Sequence, residues 1–250
     1  MKTAKLLGKY DLPINIPLAD ESDRTKGKRS YAHYLSAQQP LVATKVAATA
    51  WLLDKTPLDP ARSYTSREYL AGVGICTTLI TKMLNISSQT LNEVDESCLK
   101  QLESVDWGVP TTVKKAKFKK SILEEDDSDL KFLDFPSSSI LTLQTKWAGF
   151  ERVFDSKPSL VVWTDTAVTY PLSLHGAKYA SILGKRPENR EEYVQAISEW
   201  LSSRFGYSLV RAAFRGRNAV YLSATPGEHT PELGYFLKTE HLDAFSMGDE

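Results

Sequence analysis

The sequence predicts an α+β protein with a helical N-terminal half, followed by an antiparallel β-sheet that carries at least one packed amphipathic helix. Two observations lead to this prediction. Apolar residues recur largely at helical spacing within residues 31–106, whereas β-branched and aromatic residues form short runs after residue 138. The 250 residues have room for one large or two small domains. We expect four segments: a mobile arm (1–30), a helical domain (31–106), a charged connector (107–137) and an α+β domain (138–250).

The first 30 residues combine two prolines with the polar cluster ADESDRTKGKRS. Such a composition is typical of an extended, mobile arm. Its basic residues form a first candidate charge patch, and a simply solvated arm explains them equally well. These residues are Arg24, Lys26, Lys28 and Arg29.

The helical domain begins with an alanine-rich segment over Leu41–Leu53, with Pro40 in a position suited to a first helical turn. Its nearly continuous apolar character predicts a well-buried helix. A third helix is predicted to start near Ser88 or Thr90, where Thr90 and Glu93 match a capping box.

A second helix is predicted between the first and the third. Thr65 and Glu68 match another capping box at its start, and it continues to Leu84. Gly72 and Gly74 lie inside this predicted helix. Glycine either weakens a helix or lets a neighbouring helix approach closely, and both interpretations stay open here.

The connector places a basic block directly before an acidic block. The two blocks either neutralise each other in a solvated loop, or the lysines form a patch for phosphates or an acidic partner. Phe118 lies among the lysines, an arrangement that suits single-stranded nucleic acid. The lysines are Lys114, Lys115, Lys117, Lys119 and Lys120, and the acids are Glu124, Glu125, Asp126, Asp127 and Asp129.

The α+β domain contains the clearest local pattern of the chain, an amphipathic helix over residues 189–205. Asn189 lies at its start, and Gly206 follows it where a left-handed cap belongs. A β-hairpin over Tyr207–Phe214 and Ala219–Ser223 is predicted next. The apolar face consists of Tyr193, Ile197, Trp200, Leu201 and Phe205.

Four arginines fall in an acid-free window around this hairpin. If the turn keeps the strand period, the last three share one face of the sheet. They predict an anion-binding face, or else a solvated hairpin whose arginines pair with distant acids. They are Arg204, Arg211, Arg215 and Arg217.

The sequence contains few signs of chemistry. The four histidines show no metal-ligand spacing, and neither a GxGxxG nor a GxxxxGK[ST] motif occurs. No metal or cofactor is therefore expected. Asp165 lies in a predicted strand pair near Trp163 and Tyr170, where it either makes the turn or serves as an acid or base. Cys76 and Cys98 are expected as helical residues, with Cys76 on an apolar face in the core.

The function expected from these features is a non-enzymatic assembly or scaffold protein, comparable in composition to viral matrix or coat proteins. It would self-associate and bind nucleic acid or acidic partners through the arginines and lysines named above. The alternative is an enzyme with a dispersed acidic site near Asp165, such as a nuclease. No secretory signal is visible and no run of 18 apolar residues occurs, so an intracellular protein of the cytoplasm or nucleus is expected.

Overall fold

Helices and strands alternate along most of the chain. The computed structural model describes residues 3–6, 16–17, 39–54, 56–72, 74–134, 150–165, 170–215, 219–236 and 245–247. The strands are β1 (Thr3–Leu6), β2 (Ile16–Pro17), β3 (Tyr64–Glu68), β4 (Ile86–Glu93), β5 (Thr111–Lys115), β6 (Leu130–Leu133), β7 (Leu160–Asp165), β8 (Tyr207–Arg215), β9 (Ala219–Pro226), β10 (Glu232–Phe236) and β11 (Phe245–Met247). The helices are α1 (Gln39–Asp54), α2 (Ile75–Met83), α3 (Glu96–Ser104), α4 (Phe118–Leu123), α5 (Tyr170–Leu183) and α6 (Arg190–Phe205), with a 3-10 helix over Glu151–Phe154.

Eight of these strands form one sheet in the order β10-β8-β9-β7-β6-β3-β4-β5. Strands β3 to β7 pair in parallel, and β9 is antiparallel to both of its neighbours, β7 and β8. Helices cover both faces, so the architecture is a doubly wound α/β sheet. Strands β11, β1 and β2 form a separate small antiparallel sheet. No helix in the described part of the chain is long and apolar enough to cross a bilayer.

The expected helical half followed by an antiparallel sheet is therefore wrong. Strands β3, β4 and β5 lie where helices or a connector were expected, and they join β6 and β7 in the same sheet. Parallel strands are covered by helices on both faces, so they lack the alternation of apolar and polar residues that identifies a half-exposed strand. Four of the five residues of β3 are buried, and its Thr65 and Glu68 only mimic a capping box.

Two predictions in the N-terminal region have different outcomes. The helix predicted over residues 41–53 is confirmed by α1, whereas the helix expected to start near Thr90 begins only at Glu96, because Thr90 lies in β4. Cys76 and Cys98 are both free and buried, so the core position expected for Cys76 is confirmed. The basic residues predicted for the arm, 24–29, lie outside the described residues.

The amphipathic helix and the hairpin are confirmed in detail. Asn189 accepts a hydrogen bond from the Glu192 backbone N–H at 2.9 Å, and Gly206 ends α6 in the left-handed region with φ of 70°. Strands β8 and β9 form the predicted antiparallel pair.

The core lies in two layers, one on each face of the sheet. Helices α1 and α2 bury Leu52 and Leu79 on one face, and α6 buries Tyr193 and Trp200 against Trp163 on the other. The helices thus cover both sheet faces and leave the carboxyl ends of the parallel strands as the edge on which a site can form.

Trp200→Ala is expected to lower the free energy of unfolding by roughly 3–5 kcal/mol, the usual loss for a buried aromatic side chain. Trp200 is only 4% exposed and stacks against Phe150 at 6.0 Å between ring centroids. Urea denaturation measures the loss, with Gln195→Ala on the exposed face of α6 as the control. Equal stabilities for the two variants would contradict the placement of Trp200 in the core.

Candidate functional site

The direction of chain winding reverses at β3, and open α/β sheets have a crevice at the carboxyl edge of such a position. From β3 the chain runs through α2, β4 and α3 to β5 on one side, and then returns through α4 to β6 on the other side of β3. Ligands of open α/β sheets bind outside the carboxyl ends of the strands at such a reversal. Glu68 ends β3 and Asp134 directly follows β6, so two carboxylates stand at this position.

A glycine turn connects β3 to α2 at the rim of the crevice. Gly72 and Gly74 have φ of 57° and 83°, in the left-handed region that favours glycine. A Cβ on Gly74 would lie 2.3 Å from Cη2 of Trp107, so there is no room for a side chain. The N–H of Gly74 donates to the Ala71 carbonyl at 2.9 Å, so a polar ligand at this helix start would meet the N–H groups of the first turn of α2.

Glu93, at the end of β4, holds this turn in place. Its Oε2 accepts a hydrogen bond from the Gly72 N–H at 2.7 Å, and its Oε1 accepts from the N–H groups of Val94 at 2.6 Å and Asp95 at 3.0 Å. An ionised carboxylate offers about four acceptor positions, so one remains for a ligand hydroxyl.

Glu68 is an almost fully buried acid with one unused oxygen. Its Oε2 accepts a hydrogen bond from Thr77 Oγ1 at 2.5 Å, while Oε1 has no hydrogen-bond partner among the described residues. Burial raises the pKa of Glu68 to about 8, against the opposing effects of the Thr77 hydrogen bond and the Lys45 charge. The side chain lines a small cavity together with Asp134 and Tyr221.

Asp134 lies in a chain of polar contacts on the far side of that cavity. Its carboxylate forms an ion pair with Lys45 from α1. The Tyr221 hydroxyl donates to Asp134 Oδ1 at 3.3 Å and accepts from Arg215 Nη1 at 2.7 Å. Burial raises the pKa of Tyr221, so the phenol stays neutral. Asp134 is therefore a hydrogen-bond acceptor held by groups from α1 and β9.

Asp165, the acid singled out from the sequence, lies outside the cavity of Glu68 and Asp134. It ends β7 as a buried residue, and Tyr179 donates to its Oδ1 at 3.4 Å on the α6 side of the sheet. The strand pair predicted to turn near Asp165 is wrong, because helix α5 begins at Tyr170. Asp165 therefore does not belong to the Glu68–Asp134 cavity.

The arginines predicted as a binding face have separate partners. Arg211 is buried, donates to Glu232 Oε2 at 2.7 Å and lies 4.2 Å from the Trp51 ring centroid. Arg204 is paired with Glu151 at 2.6 Å on the opposite face of the sheet. Arg215 contacts Tyr221 as described above, and Arg217 lies outside the described residues.

The predicted lysines lie at the end of β5 and around the start of α4. Lys114, Lys115, Lys117 and Lys120 are exposed. Nothing is described of the side chain of Lys119. The structure therefore keeps four of the predicted lysines on the surface.

The glycine turn and its acids were missed from the sequence. Gly72 and Gly74 were placed inside a helix, and Glu68 and Glu93 in capping boxes. A usable signal is a strand, a glycine turn and a helix, followed by an acid about 20 residues later, as in nucleotide-binding βαβ units. The third glycine of that pattern is replaced here by Thr77, so the full motif does not occur.

No family model matches the chain, and no curated protein matches it. Among solved structures, Trm1 from Pyrococcus horikoshii in complex with S-adenosyl-L-methionine is similar, with a TM-score of 0.54 and 11% identity over 91% of this chain. The chain spans 61% of the length of that protein. The putative methyltransferase yhhF from Escherichia coli has a TM-score of 0.49 at 13% identity, covering 90% of this chain and 98% of its own.

These findings overturn the expectation of a non-enzymatic scaffold or viral structural protein. The identities are too low to transfer an activity, so the likeness to Trm1 shows a shared fold. The eight-stranded, mostly parallel sheet with helices on both faces is a Rossmann-like methyltransferase fold.

Proposed function

We propose that this chain binds S-adenosylmethionine at the Gly72–Gly74 turn and transfers its methyl group to an acceptor beside Asp134. The observation that carries the proposal is the composition of the crevice at the winding reversal. The Gly72–Gly74 turn and Glu93, which holds it, lie at the carboxyl ends of β3 and β4, and Glu68 and Asp134 line one small cavity there. The bound S-adenosyl-L-methionine of Trm1, which shares the fold, supports the same choice of ligand.

The residues present fit this ligand. The acceptor position left on Glu93 suits a ribose hydroxyl, the usual partner of an acid about 20 residues after such a turn. The unused Oε1 of Glu68 is buried, and it would accept a hydrogen bond from an amino group. The positive charge of that amino group would also favour the ionised form of Glu68 and so oppose the effect of burial on its pKa.

The acceptor side fits the transfer of a methyl group to a nucleophile that carries a proton. S-adenosylmethionine supplies an electrophilic methyl group on a sulfonium, and the sulfur leaves as a neutral thioether. Asp134 can accept a hydrogen bond from the N–H or O–H of the nucleophile and take up its proton. Lys45 and Tyr221 hold the carboxylate in place meanwhile.

Glu93→Gln is expected to weaken S-adenosylmethionine binding by about tenfold or more, the usual effect of losing a hydrogen bond to a charged group. Isothermal titration calorimetry measures the affinity. Glu96→Gln is the matched control, because it removes the same charge three residues later at an exposed position. Thermal melting of both variants separates loss of the fold from loss of binding.

Two results would contradict the proposal. One is wild-type protein that shows no binding of S-adenosylmethionine. The other is a Glu93→Gln variant that binds as tightly as Glu96→Gln.

A further inference from the structure

Four exposed lysines form a surface at the outer edge of the sheet. We call Lys114, Lys115, Lys117 and Lys120 the lysine patch. Lys114 and Lys115 end the edge strand β5, Lys117 caps the start of α4, and Lys120 lies within that helix. All four side chains are exposed, so the charges face solvent.

The lysine patch lies next to the proposed cofactor site. In the parallel pairing of β4 with β5, Lys115 stands opposite Glu93 and Lys114 opposite Asn92. Strand β3, from which the glycine turn emerges, is two strands away from β5, a distance of about 10 Å. The patch therefore lies at the same carboxyl edge of the sheet as the crevice.

Three of the five acids that follow in sequence pair with cations outside the lysine patch. Glu124 pairs with Arg67 at 2.8 Å, Asp126 with Lys131 at 3.4 Å, and Asp129 with Arg62 at 2.5 Å. The side chains of Arg67 and Lys131 are only 4% and 2% exposed, so these two buried cations require acidic partners.

Where the structure describes the chain, the ion pairs of the acidic block are therefore made with Arg62, Arg67 and Lys131 and not with the lysine patch. Among the described residues, the ion pair of the lysine patch is the exposed one between Lys115 and Glu96. Such an exposed pair contributes little and is readily exchanged for another anion. Lys114, Lys117 and Lys120 have no acidic partner in the described part of the chain. The patch retains an excess of positive charge on a chain of zero net charge.

We propose that the lysine patch binds the phosphate backbone of a nucleic-acid substrate whose reacting nucleotide enters the crevice at Asp134. The choice of a nucleic-acid substrate rests on the proposed methyl transfer. The binding surface itself is inferred from the exposed lysines and their position at the carboxyl edge of the sheet. Phosphate contacts commonly fix the position of a nucleic acid and leave the choice of base to other groups. Lysine acts as a point charge toward phosphate and is depleted at protein–protein interfaces, so nucleic acid fits this patch better than an acidic protein.

The test compares two triple variants with the same loss of charge. Lys114→Gln/Lys117→Gln/Lys120→Gln removes the unpaired lysines of the patch, and Lys82→Gln/Lys157→Gln/Lys178→Gln removes three exposed lysines elsewhere. Fluorescence anisotropy with a labelled single-stranded RNA of mixed sequence measures affinity over a series of salt concentrations. Each lost phosphate contact reduces the slope of log K against log salt by about 0.7.

We expect the patch variant to lose about two units of that slope and about tenfold or more in affinity at low salt. The control variant should behave like wild type. Equal losses in both variants, or no loss in the patch variant, would overturn the proposal. So would a patch-dependent affinity for polyglutamate that equals the affinity for RNA, because the partner would then be an acidic protein.

Calorimetry with S-adenosylmethionine distinguishes this inference from the proposed function. The patch variant should bind the cofactor as wild type does, and this result also shows that it is folded. If wild-type protein binds RNA through the patch but does not bind the cofactor, the proposed methyl transfer fails and the nucleic-acid surface remains.

Discussion

Gly74→Ala is expected to lower the free energy of unfolding by roughly 2–5 kcal/mol and to abolish S-adenosylmethionine binding. An alanine at the observed φ of 83° costs about 1–2 kcal/mol in backbone strain. Its Cβ would also lie 2.3 Å from Trp107 Cη2 and 3.2 Å from Leu102 Cδ2. The Trp107 indole N–H donates to the Leu102 carbonyl at 3.0 Å, so the ring cannot move without losing that bond. Such overpacking adds about 1–3 kcal/mol.

Gly184→Ala is the matched control for this effect. Gly184 has φ of 76°, but a Cβ there meets no atom within 4 Å. The Gly184→Ala protein should lose only the free energy of backbone strain, about 1–2 kcal/mol, and it should keep cofactor binding. Urea denaturation and calorimetry on both variants measure the two effects. Equal destabilisation of the two variants would show that Trp107 does not restrict the turn.

Glu68→Gln is expected to be increasingly more stable than wild type as the pH rises from about 5 to about 8. Burial raises the pKa of Glu68 from 4.5 to about 8, so the folded protein keeps this proton where the unfolded chain has lost it. The stability contributed by the protonated acid is fully present below pH 4.5 and is lost as the pH rises toward 8. Glutamine does not titrate and retains the neutral form throughout.

The difference between Glu68→Gln and wild type should grow by up to about 1.4 kcal/mol per pH unit within this window, and reach several kcal/mol near its upper end. Urea denaturation at a series of pH values measures it. Glu103→Gln removes an exposed carboxyl group from α3 and corrects for general charge effects. A difference that stays constant with pH would mean that Glu68 is ionised in the folded protein, and therefore better solvated than its burial indicates.

The sequence by itself determined α6 and the hairpin after it. The signals there are local: Asn189 caps its own helix, apolar residues recur at helical spacing, and Gly206 ends the helix in a conformation suited to glycine. Trp200 could be placed in the core for the same reason, since one face of a single helix shows which side chains are buried.

The N-terminal half could not be predicted in this way. Strand β3 is buried on both faces, so its residues lack the alternation that distinguishes a strand, and its end resembles a helix cap. The nearly continuous apolar character of the region was compatible with helices as well as with covered strands. The choice between a helix and a covered strand is made only by the packing of helices on both faces of the sheet.

The candidate site depended on tertiary structure throughout. Glu68, Glu93 and Asp134 end or directly follow three different strands, and they share one edge because parallel strands present their carboxyl ends on the same side of a sheet. The lysines were named from the sequence, but whether the adjacent acids neutralise them was open. For Glu124 and Asp126 that was decided by Arg67 and Lys131, two buried cations that pair with them because an unpaired charge inside a protein is costly.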